Sequence, residues 1–143
     1  MKDYLILPCE IAVKSVIPAI KAVVAKELVE TYRLKQNQVA EILGISQSAV
    51  SKYTRQVRGH VIEIDNMKEI QPLINSMITL LTDGPPKRAE FLNLFCQTCI
   101  TIRQKGLMCQ FCQKTDPKIK MEECNFCLNY NTLRNERADR KKV

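Results

Sequence analysis

An all-α fold is predicted for this 143-residue chain by three observations. Val, Ile, Leu and Ala fill long runs at helical spacing, and the absence of Trp leaves a mainly aliphatic core. Hydrophobic residues make up 45% of the chain, which places it among folded rather than disordered proteins. Pro8, Pro18, Gly44, Gly59 and the run Asp83-Gly84-Pro85-Pro86 punctuate the periodic runs.

Pro8 and Pro18 can each open a helix, because a first-turn proline gives up no internal hydrogen bond. From Pro18 to Tyr32 the residues Ile20, Val23, Val24, Leu28 and Val29 recur on one helical face. Two short helices, Gln36–Leu43 and Gln47–Arg55, flank Gly44, and Gly59 ends that unit. A long helix is expected over Asn66–Leu81, closed by the breaker Asp83-Gly84-Pro85-Pro86. Its residues Met67, Ile70, Ile74, Met77 and Leu81 follow 3-4-3-4 spacing, a heptad seam suited to a dimer contact. Arg88–Arg103 is a further helix that runs through the first cysteine pair. Gly106–Asn131 is rich in cysteine and poor in helical periodicity. The expected organisation is three segments: 1–60, 61–86 and a cysteine-rich 87–143 with a basic tail.

The net charge is +7, unevenly placed. Residues 1–60 carry nine Lys/Arg against five Asp/Glu, residues 61–95 three against five, and the tail from Arg134 five against two. Basic ends around an acidic middle favour phosphate-bearing partners, but charge alone does not choose among them. No stretch approaches the ~20 apolar residues of a membrane span. Met1-Lys2-Asp3 lacks the order of a signal peptide, so a cytoplasmic protein is expected. There the seven cysteines would be thiols or metal ligands rather than structural disulfides.

The most specific local pattern is QNQVAEILGISQSAVSKY, Gln36 to Tyr53. Ala40 is small where two helices approach, and Gly44 sits where a positive φ is cheap only without a Cβ. Val39, Leu43, Ile45 and Val50 fill the space between the helices, and Ser46 can cap the second. That second helix then divides: Ala49, Val50 and Tyr53 face inward, while Gln47, Ser48, Ser51, Lys52 and Arg55 face outward. Gln can pair with adenine through two hydrogen bonds, and Ser can bond to several base edges. Lys52, Arg55 and Arg58 can hold phosphates or guanines. With Gln36 at the start of the first helix, these residues form a candidate double-stranded DNA-binding set, in which the second helix enters the major groove.

Gln36–Tyr53 resembles the helix-turn-helix of the Cro and phage-repressor type. The longer run from Leu7-Pro8 through Pro18-Ala19-Ile20 to Val50-Ser51-Lys52-Tyr53-Thr54 is similar to a group of predicted archaeal transcriptional regulators. The likeness covers about the first 60 residues and is looser beyond them. It implies sequence-specific DNA binding as a homodimer, and the fold expected is a helix-turn-helix domain followed by a long helix and a small cysteine-rich, metal-binding-like module.

Six cysteines form three C-x-x-C pairs: Cys96/Cys99, Cys109/Cys112 and Cys124/Cys127. Two thiolates at this spacing can converge on one ion. Four satisfy a tetrahedral zinc, and four also hold a [4Fe–4S] cluster, so zinc and an iron–sulfur redox sensor are both open. Six exceed one tetrahedral site, leaving one pair spare, oxidised or in a second site. Phe111 and Phe126, inside two of the pairs, are expected to pack over the metal. His60 is expected at a loop, and the isolated Cys9 as a small buried residue.

The main alternative to a regulator is a zinc-bearing adaptor that binds RNA or another protein. A thiol oxidoreductase would be expected beside a βαβ pattern, which the chain lacks. No paired acid and base, phosphate loop or Ser/His constellation is present, so no enzymatic activity is expected.

Overall fold

The structure, a computed structural model, describes residues 6–56, 62–85 and 87–129. Every regular element among these residues is a helix. They are α1 (Pro8–Lys14), α2 (Val16–Glu30), α3 (Gln36–Leu43), α4 (Gln47–Thr54), α5 (Gln71–Thr82), α6 (Arg88–Gln104) and α7 (Cys109–Thr115). No helix among them is long and apolar enough to cross a membrane.

The chain starts with proline at the first position of α1, where Glu10 accepts a hydrogen bond from the Leu7 N–H at 3.2 Å. Ser15 breaks α1 from α2 with φ −128° and ψ −70°, and its hydroxyl donates to the Ile11 carbonyl at 2.7 Å. Helix α2 therefore begins at Val16, two residues before Pro18. Proline is tolerated there because the first four N–H groups of a helix have no internal partner.

α2 is the centre of the fold. Val16, Ala19, Ile20, Ala22, Val24, Ala25 and Leu28 are all buried on it, more than one face of a surface helix would supply. Helices α1, α3, α4, α5 and α6 all pack against it. Its alanines keep the neighbouring helices close. One cluster of buried side chains runs from Ile11 to Met108, so the three segments read from the sequence share a core.

α5 differs from expectation in extent and in role. It begins at Gln71 rather than Asn66, with Pro72 in its first turn; residues before it form turns instead. Its heptad seam does not face outward. Ile70, Ile74 and Met77 are buried within this single chain, and Met67 and Leu81 pack against the same core. The seam is filled by α6, which lies along α5 as the second arm of a helical hairpin, and by α2. A 3-4 pattern records that a helix has an apolar stripe, not whose helix covers it. The seam is therefore intrachain core and not the dimer contact. At the far end of this hairpin Lys105 and Glu69 form an exposed ion pair at 2.8 Å.

The described part of the region Gly106–Asn131, as far as residue 129, also contains more order than its composition suggests. Gly106 ends α6 with φ +76°, Met108 is buried, and α7 follows at once, carrying the second cysteine pair. Residues 117–129 form turns without a further helix.

Ile74→Ala is expected to destabilise the protein by about 2–5 kcal/mol in urea unfolding, the range for removing a buried Ile side chain. Charges at both Ile70 and Met77 should abolish cooperative unfolding. A well-folded protein carrying both charges would instead show that the seam is surface.

Candidate nucleic-acid interface and cysteine cluster

Helices α3 and α4 are joined by a three-residue turn whose geometry follows from its residues. Gly44 takes φ +65°, the left-handed conformation. The Ile45 N–H then reaches back to the Ala40 carbonyl at 3.0 Å, and the Gly44 N–H to Glu41 at 3.3 Å. These are the bonds of a left-handed helix cap, and a Cβ at Gly44 would strain them. Ser46 is extended, and its hydroxyl oxygen accepts from the Ala49 N–H at 3.1 Å. At the other end of the unit, Gln38 accepts from the Lys35 N–H at 2.9 Å and fixes the start of α3.

The two faces of α4 separate as their polarity requires. Ala49, Val50 and Tyr53 are buried against α2 and α3. Gln47, Ser48, Lys52 and Arg55 are exposed, and Ser51 is half-buried between them. The Arg55 Nε donates to the Ser51 carbonyl at 3.3 Å, which lays the side chain back along the helix end. Gln36 is half-buried at the first position of α3. The outward set of α4 is thus presented together on one surface, with two uncharged hydrogen-bonding residues at its N-terminal end and two cations at its C-terminal end. Arg58, like His60 and the tail from Arg134, lies outside the described residues.

The six paired cysteines divide into two groups. Cys109, Cys112, Cys124 and Cys127 line one small cavity of about 30 Å³. Its remaining walls are apolar or thioether groups, among them Pro8 from α1, Met108 and Met121. Burial raises the pKa of the Cys109 and Cys112 thiols, and the neighbouring Cys127 and Cys124 raise them further. Among the described residues no group of three or more His, Cys, Asp or Glu side chains is placed to hold a metal ion. The four sulfurs border the same space without closing on one point.

Cys96 and Cys99 do not line that cavity. Both lie within the uninterrupted helix α6, Cys96 exposed and Cys99 half-buried. Burial is the main cause of a raised Cys99 pKa, which the nearby charge of Arg103 opposes. Arg103 is the polar residue that sequence reading passed over. It is only 6% exposed, and Cys127 lies close enough to act on its charge. The available signal was its position one helical turn after Cys99, where side chains meet.

Two further expectations fail here. Cys9 is exposed at the second position of α1 rather than buried, close enough to Cys99 and Arg103 to act on both electrostatically. The rings inside the pairs do not roof the cavity: Phe111 packs into the main core and Phe126 is exposed. Pro8 and the two methionines take that position.

No family model, no curated protein and no solved structure matches this chain.

In the reduced, metal-free protein, iodoacetamide should alkylate the exposed Cys96 well before Cys99, three residues along the same helix. Burial limits access to Cys99 and disfavours its reactive thiolate. Peptide mass spectrometry over a time course reads the order directly, and equal rates at the two sites would contradict it.

Proposed function

We propose that the chain is a sequence-specific DNA-binding transcription regulator, in which α3 and α4 act as a helix-turn-helix and α4 is the recognition helix. The observation that carries this reading is the division of α4. Its buried face of Ala49, Val50 and Tyr53 anchors it, and its free face offers Gln47, Ser48, Ser51, Lys52 and Arg55. A helix that reads bases needs a fixed orientation and an outer face of short hydrogen-bonding groups flanked by cations. Gln47 and Ser48 stand in its first turn, the part of a recognition helix that meets base edges. The sequence resemblance to Cro-type regulators favours the same assignment. Gln36, at the start of α3, and Arg58, just past α4, are assigned to the phosphate backbone.

The reading includes a homodimer, since one such unit covers a half-site and a two-fold operator requires two. The α5 seam is occupied within the chain, so the pairing surface lies elsewhere. It includes a cysteine-rich part that holds a metal or senses redox state. No catalytic step is assigned to any residue. The adaptor alternative, binding RNA or protein through the basic ends, differs in one measurable respect: it would not prefer one duplex sequence over another.

Selection from a random duplex library, followed by titration of the best site and an unrelated duplex, tests the assignment. Gln47→Ala or Ser48→Ala should narrow the gap between the two by about 1–3 kcal/mol for each bidentate pair lost. Lys52→Ala and Arg55→Ala should weaken both duplexes alike and reduce the salt slope by about one unit each. Unchanged duplex binding by a folded Gln47→Ala/Lys52→Ala protein would remove α4 from the interface.

A further inference from the structure

We propose that Cys109, Cys112, Cys124 and Cys127 form one tetrahedral zinc centre, seated against α1, and that Cys96 and Cys99 are not ligands. This rests on the reading of the cysteine-rich part as metal-binding, and it is independent of whether α4 binds DNA.

The selection of four from six follows from placement. The second and third pairs come from α7 and from the turn region after it, and all four sulfurs border one cavity. The four are not placed to hold an ion as they stand, so binding would have to draw in the turn region that carries Cys124 and Cys127, which has no helix to hold it. The first pair lies on a continuous helix with Cys99 engaged by Arg103.

The choice of zinc over a cluster follows from size and donor chemistry. The cavity is small, about 30 Å³, and a single ion needs only the space that its four sulfurs would enclose. A [4Fe–4S] unit places eight heavy atoms inside its four thiolates and would force the walls apart. The walls offer no carboxylate or imidazole, so harder ions gain nothing there. On binding, four Cys S–H bonds release their protons to solvent and four S–Zn bonds form. The centre then carries a net charge of −2.

Arg103 answers that charge. Its buried guanidinium lies near Cys127, where its positive charge would offset part of the negative charge and help to orient the ligand. It is a positioning residue for the centre, in the place that outer-shell hydrogen-bond donors take around structural metals.

The test is anaerobic titration of the reduced full-length protein with cobalt(II), followed by displacement with zinc. One cobalt per chain is expected, with the visible ligand-field bands and near-ultraviolet charge transfer of a tetrahedral four-sulfur site. The Cys96→Ser/Cys99→Ser protein should keep both the stoichiometry and the spectrum. Serine at any one of the other four should change the spectrum and weaken binding by at least about a hundredfold, beyond the usual range for an outer-shell loss. Arg103→Gln should keep the four-sulfur spectrum and weaken binding about 10–100-fold. Loss of the spectrum in the Cys96→Ser/Cys99→Ser protein, or two cobalt ions per chain, would overturn this ligand assignment while leaving a metal-binding protein. Failure to take up any cobalt would overturn the metal reading with it. Anaerobic reconstitution with iron and sulfide supplies the last arm: a brown four-iron centre that zinc does not displace would overturn zinc. Duplex binding measured on the same preparations judges the DNA assignment separately.

Discussion

Burial of α2 is the constraint on which the rest of this structure depends. Seven of its fifteen residues are buried, and five other helices pack against it. An isolated fifteen-residue helix is marginal in water, so α2 is held by these contacts rather than by its own propensity. The dependence runs both ways. Short helices such as α3 and α4, eight residues each, cannot persist without a surface to bury against. Val39 and Val50 are fully buried in the cluster that α2 centres. The rigidity of the outward face of α4 is thus a consequence of what lies behind it.

How much of this was legible in the sequence depended on how local the cause was. Gly44 and Ser46 act on neighbours within a few residues, through a left-handed cap and an N-cap hydrogen bond, and both could be read directly. The α5 seam was legible as an apolar stripe but not as to its partner. Periodicity is a property of one helix, and burial is a property of two. The start of α5 moved to Gln71 because the turn at 65–70 satisfies its backbone otherwise, with the Gln71 side chain donating to the Asp65 carbonyl at 2.8 Å. α7 escaped notice because seven residues with two cysteines and two glutamines show too little periodicity to count. The division of the six cysteines was invisible for a different reason. Three pairs of identical spacing differ only in what the fold places beside them.

The placement of the cysteine cavity links the two halves of the chain. Pro8 forms part of its wall, α7 packs on α1, and α1 packs on α2. α2 in turn carries α4. An ion drawn into the cavity would therefore tighten a region in direct contact with the core beneath the proposed recognition helix. Coupling between the two would need an element along this path with two arrangements that both sites bias. It does not require a large motion. Interhelical packing of this density passes small displacements on to its neighbours.

Arg103 bears on the proposed zinc centre through its charge. Burying a guanidinium is costly unless an anionic partner compensates it. Cys127, Cys99 and Cys9 lie near enough to act on its charge. A protonated thiol is a weak acceptor and carries no charge. A thiolate bound to a metal keeps negative charge on sulfur at neutral pH and remains a hydrogen-bond acceptor. The same four thiolates, crowded around one cavity, would repel one another without a cation between them and a cation beside them. The ion and Arg103 therefore answer the same electrostatic problem from opposite sides. A buried arginine one turn after a cysteine, facing the thiol of another pair, is the arrangement a four-thiolate centre would need.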